Sequence, residues 1–311
     1  MSNEYFAKLF TDAQFLPWQL AATVHTNTNR TNHTNGDIGD SHDSAADPEL
    51  RLIALGISIP FYWANTGDSS TLPDRGWDEV LRLGNSLTLG SPRPNTLSAL
   101  AISVDPEYRA TVLRDAQGNC IDLAQEMISS LRDLAKMAGF AAMVVPLRPT
   151  RKGTGGNVWV GMEKYVRARR GEDPPLLLQR EVKGEDDLGE GEEKGQGEIR
   201  NDDPYDPWLR KHVSLGGKIV KVCHRSCFIE AGVSDWEEWT GVDFSKPSVN
   251  PYTDGESGEG TLEGGEGYEV VIPGGLVPVR VFSEMMYLAK DGREEMGVGV
   301  YVEPNVWLRH F

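Results

Sequence analysis

The spacing of apolar residues along the chain predicts an alternation of strands and helices. An apolar run over residues 50–64 (LRLIALGISIPFYWA) predicts one or two buried strands. Residues 76–87 carry apolar side chains three and four positions apart, the spacing of an amphipathic helix. Residues 96–106 (TLSALAISVDP) predict a strand that ends at a proline. This part of the chain is therefore expected to contain both kinds of element.

The most regular helical pattern follows residue 120. Apolar positions recur three and four apart over the next five turns, and Gly139 is the expected C-terminal cap. The segment DLAQ (122–125) predicts a capping box at the start of this helix. In such a box the Asp122 side chain accepts the amide of Gln125, and the Gln125 side chain returns a bond to residue 122.

The remaining elements are predicted from shorter patterns. They are a strand buried on both faces at 140–149, a short helix at 161–170, a helical turn, a Gly-Gly break and a strand at 206–230, and strands at 268–282 and 298–310. In SDWEEWTG (234–241), Ser234 and Glu237 are expected to form a second capping box. The fold class that follows is mixed α and β.

Three polar, low-complexity segments interrupt these elements, at 25–47, 182–203 and 246–267. None contains enough apolar residues for burial to offset the entropy lost on ordering. We expect them to be surface loops that have grown within one domain spanning residues 1–311, because the elements on either side of each loop need one another to form a core.

The net charge of −16 is concentrated in two of these regions. Residues 181–206 hold eleven Asp or Glu against three Lys or Arg, which gives −8, and residues 243–269 hold seven against one, which gives −6. The rest of the chain is near neutral. This distribution argues against nucleic acid and against an anionic membrane as a partner.

The chain shows no apolar run long enough to span a membrane and no secretory signal pattern at its start, so a cytoplasmic protein is expected. Three cysteines fit a reducing compartment. Cys223 and Cys227, in CHRSC, could supply two ligands of a metal site. The sequence contains no second Cys/His cluster to complete such a site, so no metal is expected.

Several segments resemble a known superfamily. LSALAISVDPEYR (97–109), LAQEMISSLRDLAKMAGFAAMVVPLRPTRK (123–152) and DPWLRKHVSLGGKIVKVCHRS (206–226) are similar to the core of the GNAT acyl-CoA N-acyltransferases. RPTRK, DPWLRKH, DWEEWTGVDF, VIPGGLVPVRV and GVYVEPNVWLRH resemble a bacterial and fungal branch of N-acetyltransferases. The resemblance covers about two thirds of the chain, from about residue 50 to the end without the acidic loops.

The resemblance implies a mixed, mostly antiparallel central sheet flanked by helices and decorated by long polar loops. In the superfamily two central strands splay apart and take up the pantetheine arm of acetyl-CoA or another acyl-CoA. Those strands would be 97–104, ending at Val104, and 140–147. It also implies a small-molecule acceptor, and it leaves a homodimer open as the assembly.

The chain departs from the superfamily at the loop that binds the cofactor's pyrophosphate, where a glycine-containing turn normally leads into the helix. About nine residues are inserted after DPEYR, and Asp122 takes a glycine position. A carboxylate there competes with phosphate for the unpaired amides of the helix start. Arg109, Arg114 and Gly118 are the remaining candidates for cofactor binding.

Candidate catalytic residues are His212, Tyr165 and Glu303. His212 lies in DPWLRKH and can serve as a general base or acid, or can be a structural histidine. Tyr165 is a candidate acid for the leaving thiolate, a role that tyrosines have in the superfamily, and packing is the alternative. Glu303 lies in an apolar strand, which can raise the pKa of its carboxyl, or it pairs with Arg309.

Candidate substrate-binding residues are Arg148, Lys152, Trp208 and Trp236. The two cations, with Arg151, follow a buried strand at the expected mouth of the cleft. The tryptophans could contact an aromatic substrate or pack in the core. Asp206 is expected either to orient His212 or to cap the turn that begins at Pro207.

Two functions therefore remain open. The first is an acyl-CoA-dependent transferase that acts on an amine or hydroxyl of a small molecule, for example in fungal secondary metabolism. The second is a protein of the same fold that has given up CoA and serves as a different tailoring enzyme or as a small-molecule binding protein.

Overall fold

The structure of the 311-residue chain is a computed structural model. It describes residues 2–26, 49–109, 113–115, 117–153, 157, 160–172, 174, 203–241, 267–271, 278–288 and 294–311. Nearly all of the three predicted low-complexity segments lie outside the described residues.

The described residues form helices and strands whose bounds follow. The helices are α1 Ser2–Thr11, α2 Gly76–Asn85, α3 Leu123–Met137, α4 Met162–Arg167, α5 Pro207–Ser214 and α6 Val233–Thr240. The strands are β1 Leu20–Thr26, β2 Glu49–Phe61, β3 Thr96–Val104, β4 Ala142–Leu147, β5 Lys218–Gly232, β6 Gly267–Val271, β7 Pro278–Leu288 and β8 Glu294–Arg309. No described helix has the length and apolar character that crossing a lipid bilayer requires.

The eight strands among the described residues belong to one sheet. Its strands follow the order β1-β2-β3-β4-β8-β7-β6, and β5 also pairs with β8. Every pairing is antiparallel except that of β3 with β4. The predicted fold class, a mostly antiparallel mixed sheet flanked by helices, is confirmed, and the arrangement is compatible with a GNAT-like fold.

The parallel strands β3 and β4 separate soon after they begin. They pair only where Thr96–Ser98 lies against Ala142–Val144. Beyond that point β4 continues along β8, with Val144 to Leu147 opposite Arg309 to Val306. Beyond these pairs, the facing edges of β3 and β4 have no neighbour among the described strands, and a gap opens between them.

Successive residues of a strand pack on opposite faces of the sheet, because the side chains of a strand alternate with a period of two. In β4, Met143, Val145 and Leu147 join the core beneath α3 and α5, whereas Ala142 and Val144 join the core beneath α1 and α2. All six β4 residues are buried, which confirms the prediction of a strand covered on both sides.

Several predicted boundaries can be compared with the structure. Residues 50–64 contribute a single strand, β2, and α3 is followed by Gly139 at φ = +75°, as its predicted cap position requires. The second predicted capping box is wrong. α6 begins at Val233, so Ser234 lies inside the helix, and Asp235 accepts the Gly232 amide at 3.2 Å.

Asp206 holds α5 against the rest of the fold. Its side chain is buried, with the residue 1% exposed. It caps α5 by accepting the amides of Trp208 (2.9 Å) and Leu209 (3.2 Å). The other carboxylate oxygen accepts the Arg151 amide (2.8 Å) and the Tyr165 hydroxyl (2.9 Å). The capping alternative for Asp206 is therefore confirmed.

Replacing Asp206 with Ala should lower the free energy of unfolding by about 3 kcal/mol, because the change leaves buried donors without an acceptor as well as removing a helix cap. Urea unfolding measures the change. The matched control is Asp68→Ala, which removes an exposed cap that accepts the Ser70 amide at 3.0 Å and should cost about 1 kcal/mol or less. Equal losses for the two variants would contradict the assigned role of Asp206.

Candidate active site

A cleft of about 970 Å³ lies where β3 and β4 separate. One wall is β3 with the turn that follows it, and the other is β4 with Arg148 and Thr150. The start of α3, one side of α5, two residues of β8, Trp77 of α2 and Cys227 of β5 also line the cleft. Its polar and charged lining residues include Tyr108, Arg109, Asp122, Arg148, Thr150, Lys211, His212, Glu303 and Asn305. The parting of the strands thus brings together side chains that are distant in sequence.

Glu303 is the acidic residue that β8 contributes to the cleft. Its Oε2 accepts the Tyr301 hydroxyl at 2.6 Å and faces Arg148 Nε at 3.3 Å. With the Asn305 amide nitrogen turned toward Glu303 Oε1, at 3.0 Å, the amide oxygen accepts the Ser226 hydroxyl at 2.9 Å, so both ends of the amide are satisfied. The carboxylate therefore accepts hydrogen bonds from Tyr301 and Asn305 and forms an ion pair with Arg148.

The alternative partner predicted for Glu303 is wrong. The Arg309 guanidinium donates to the carbonyl oxygens of Phe311 at 2.7 Å and Thr66 at 2.6 Å. Arg309 and Glu303 are six residues apart on one strand, and Arg309 lies beyond the cleft, beside Trp63. Glu303 pairs instead with Arg148, which directly follows β4.

A bulge in β5 lies behind Glu303. Between the pairs Cys223–Asn305 and Cys227–Glu303, β5 advances four residues while β8 advances two. The extra length brings the Ser226 hydroxyl to the Trp77 amide at 2.9 Å, at the start of α2. A Cβ on the neighbouring Gly76 would lie 2.4 Å from Ser226 Oγ, so the helix start and the bulge fit only with glycine there.

The CHRSC segment (residues 223–227) forms this bulge, and both of its cysteines are uncharged thiols. Burial, and then the negative charges of Asp78 and Glu303, raise the pKa of the Cys227 thiol to about 12, so the cleft presents a neutral thiol there. Burial also raises the pKa of Cys223 to about 11. Among the residues that the structure describes, no group of three or more His, Cys, Asp or Glu side chains is placed to hold a metal ion.

Asp122 caps α3 at the opposite end of the cleft. Its side chain accepts the Gln125 amide at 3.1 Å and forms an ion pair with Lys211 of α5. Partial burial opposes ionisation, but the hydrogen bonds from Lys211 and the Gln125 amide prevail and lower the pKa of Asp122. The predicted cap is confirmed, whereas no described contact returns from the Gln125 side chain to the Asp122 amide.

Arg109 lies at the end of the turn that follows β3. Its Nε donates to the carbonyl oxygen of Val104 at 3.1 Å, and both residues line the cleft. Arg114 and Gly118 instead belong to the hairpin of the inserted loop, where Arg114 Nη1 donates to the Gly118 carbonyl at 2.7 Å. Neither residue is part of the cleft lining, so their predicted contact with a cofactor stays a prediction that this geometry does not favour.

His212 lines the cleft and is paired with a second histidine, His310. His212 Nδ1 and His310 Nε2 are 2.9 Å apart, and the two residues are 1% and 9% exposed. Burial, then the neighbouring His310 and then the charge of Lys211 lower the pKa of His212 to about 3, and burial lowers that of His310 to about 4. A neutral imidazole with so low a pKa is a weak base at neutral pH.

Three other predicted site residues lie outside the cleft lining. Tyr165 is buried with its hydroxyl on Asp206, and burial followed by the charge of Asp206 raises the pKa of Tyr165. Lys152 is buried and donates to the Asn157 carbonyl at 2.9 Å; burial lowers its pKa to about 8. Trp236 packs against Trp239 and Tyr301. Their predicted roles are not supported by these positions.

Trp208 does line the cleft, and its ring meets the His212 ring edge to face at 4.8 Å between centroids. The structure adds residues that the sequence interpretation missed, namely Lys211, Tyr301, Asn305 and His310. Tyr301 and Asn305 could have been found, because in YVEPNVW they alternate with Glu303 and so share its face of the strand. Lys211 and His310 could not have been found in this way, because their places in the site result from contacts with residues far away in the sequence.

The buried histidine pair should make the protein less stable in mild acid. In the folded protein the pKa of each histidine lies below the ordinary value of 6.5, at about 4 for His310 and about 3 for His212. Between 6.5 and these values, a histidine is protonated in the unfolded chain but not in the folded protein, so a fall in pH favours unfolding. Stability is fully present above that window and declines by about 1.4 kcal/mol per pH unit for each histidine protonated only in the unfolded chain.

Urea unfolding between about pH 7 and about pH 4.5 measures this effect in the wild type and in the His212→Gln/His310→Gln variant. The variant should lose less stability over that interval. His224→Gln is the control, since this histidine's side chain is 63% exposed, and it should leave the slope unchanged. The same slope in the double variant as in the wild type would contradict the predicted titration of the pair.

Comparison with known proteins places these features in a family. No protein-family model matches the chain, and no solved structure matches it. The chain is 33% identical over 276 residues to a protein of Aspergillus versicolor, the arginine N-acetyltransferase avaD, and the alignment covers 88% of this chain and 73% of that protein. Identity at this level over most of both chains implies common descent and a common fold. The chain therefore belongs to the family of this fungal N-acetyltransferase.

Proposed function

We propose that the protein is an acetyl-CoA-dependent N-acetyltransferase of the GNAT superfamily that acts on a basic nitrogen of a small molecule, in a setting such as fungal secondary metabolism. The observation that carries the proposal is the early separation of β3 from β4, which leaves strand edges along a large cleft. The similarity to an arginine N-acetyltransferase supports the reaction class.

The strand edges suit the pantetheine arm of acetyl-CoA. Residues 99–102 and Val104 of β3 and residues 145–147 of β4 line the cleft beyond the last β3–β4 pair. Unpaired peptide groups on a strand edge bind an extended ligand that carries amides, as a sheet accepts an added strand. The cleft volume of about 970 Å³ lies near the upper end of the usual range for ligand sites.

The diphosphate would lie at the start of α3. Lys211 and Arg109 supply positive charge there, and the helix supplies unpaired amides and the positive end of its dipole. Asp122 works against this, since it accepts one of those amides and neutralises Lys211. Phosphate binding at this place therefore requires Lys211 to exchange Asp122 for the ligand.

The chemistry requires a neutral nitrogen next to the thioester. Attack by its lone pair forms the C–N bond and expels the CoA thiolate as the C–S bond breaks. The nitrogen loses one proton, and the thiolate gains one to become the thiol. Of the three predicted catalytic residues, Glu303 and His212 lie in the cleft, as a carboxylate paired with Arg148 and a neutral imidazole that can hydrogen-bond to a reacting group.

The acceptor is proposed to resemble arginine, because that is the substrate in the relative's name. A competing function is a protein of the same fold that no longer uses CoA. The observation that favours it is the Asp122–Lys211 pair at the expected phosphate position.

Release of free thiol from acetyl-CoA in the presence of arginine, agmatine and other amines tests the proposal. The expected result is thiol release that depends on an amine and yields an acetylated product by mass spectrometry. Calorimetry with CoA provides a test without turnover. An absence of both CoA binding and amine-dependent thiol release would overturn the proposed function in favour of the CoA-independent one.

Asp122→Asn should tighten the binding of acetyl-CoA by about threefold to tenfold, because it removes a negative charge worth roughly 1 kcal/mol at 4 Å in water while keeping a good cap residue. Calorimetry with CoA measures the dissociation constant. The control is Asp133→Asn, on the exposed part of the same helix, which should change the constant by less than about twofold. Weaker binding by Asp122→Asn would show instead that Asp122 positions Lys211 for the phosphate.

A further inference from the structure

Arg148 and Glu303 form an ion pair whose two members are held very differently. The Glu303 side chain is 11% exposed and is fixed by Tyr301 at 2.6 Å and by Asn305 at 3.0 Å. The Arg148 side chain is 41% exposed and approaches Glu303 through Nε at 3.3 Å. The carboxylate is thus a largely buried part of the cleft lining, whereas the guanidinium, which also interacts with Tyr301, is substantially exposed to solvent.

Such a pair is easily exchanged. A partly exposed ion pair typically contributes about 0–1 kcal/mol, because solvent screens it and the long side chain loses freedom when it is held. The contact through Nε is not the parallel, two-bond geometry in which arginine binds a carboxylate most strongly. A ligand that brings its own cation can therefore displace Arg148 at little cost.

We propose that Glu303 recognises a guanidinium group on the acceptor substrate, and that Arg148 occupies this position until the substrate enters. This inference rests on the proposed function and assigns to it a residue that selects the acceptor. The displaced Arg148, at the rim of the cleft, is then available to an anionic part of the same ligand, such as a carboxylate.

The partners of Glu303 favour a guanidinium over a neutral group of the same shape. The Tyr301 hydroxyl and the Asn305 amide both donate to the carboxylate, so the positions that remain on its oxygens require donors. A guanidinium offers only donors and fits a carboxylate with two parallel bonds. A ureido group can still donate through its N–H edge, but it is neutral, so its bonds to the carboxylate lack the charge assistance of a guanidinium and it cannot replace the cation of Arg148.

The charge balance of the cleft supports the same assignment. Asp122 and Glu303 are the acidic side chains of its lining, and Lys211 neutralises Asp122 at the α3 end. Glu303 is paired as well, but the side chain of its partner Arg148 is 41% exposed, against 26% for Lys211, so of these two carboxylates in the described lining Glu303 has the more easily displaced partner. A neutral acceptor would gain nothing there by displacing Arg148.

The test compares the binding of L-arginine and L-citrulline, which differ in having a guanidinium or a ureido group, by calorimetry on the whole chain with CoA present. The wild type should bind arginine at least about tenfold more tightly than citrulline. Glu303→Gln keeps the shape and removes the charge, and should reduce this preference to within about threefold. Glu79→Gln is the matched control, because Glu79 forms a similar ion pair with Arg82 in α2 outside the cleft lining.

A second variant tests the displacement itself and does not depend on how Glu303→Gln folds. Arg148→Ala removes the internal competitor, so agmatine, which has a guanidinium and no carboxylate, should bind about threefold more tightly than to the wild type. Unchanged or weaker agmatine binding in Arg148→Ala would overturn the proposal, as would an arginine preference that survives Glu303→Gln or is missing from the wild type.

These outcomes are separable from the proposed function. Acetyl transfer to amines without any preference for a guanidinium would overturn only the role of Glu303. Glu303-dependent binding of arginine in a protein that neither binds CoA nor releases its thiol would uphold guanidinium recognition while overturning the acetyltransferase.

Discussion

The short parallel ladder between β3 and β4 is the constraint on which the cleft depends. Three residues of pairing at Thr96–Ser98 join the two strands, after which each follows its other neighbour. Pro146 lies in the separated part of β4 and has no amide to donate, so it cannot extend a regular ladder toward β3. The split places backbone edges, the start of α3 and Glu303 of β8 around one cleft without interrupting the cores on either face of the sheet.

The charged groups of the cleft are already paired within the protein. Lys211 pairs with Asp122, Arg148 pairs with Glu303, and Arg109 donates to the Val104 carbonyl. A charged ligand that binds in such a cleft replaces one member of an internal ion pair. Its affinity therefore depends on the difference in free energy between the internal ion pair and the contact that the ligand makes. Selectivity can then be high although no single pair is strong, because a ligand without the matching charge leaves the internal pair intact.

The local elements could be predicted from the sequence, and the contacts that define the site could not. The repeats at α2, α3, β3 and β4, and the Asp122 cap, are encoded within a few residues of one another, so their periodicity is sufficient. The parting of β3 and β4 was expected only through the superfamily resemblance. α1 was not predicted, although Tyr5, Phe6 and Leu9 have helical spacing and lie on its more buried side.

The pairs Asp122–Lys211 and His212–His310 join residues 89 and 98 positions apart, and no local pattern links their members. For the same reason the histidine in DPWLRKH, viewed without its partner, has the appearance of a general base, and Tyr165 that of an acid. Burial against His310 and Asp206 gives these side chains their actual environment. Tertiary contacts thus change the chemical meaning of residues that sequence motifs single out.

The bulge that ties Ser226 to the start of α2 gives one part of the cleft its own support. Ser226 accepts the Trp77 amide of α2 and donates to Asn305 beside Glu303, whereas Asp122 and Lys211 belong to α3 and α5, which pack on the opposite face of the sheet. Residues at the Gly76–Ser226 junction could therefore change in the course of evolution while the contact between Asp122 and Lys211 stays the same. Separate supports of this kind allow the shape and charge of one part of a cleft to vary without disturbing another part.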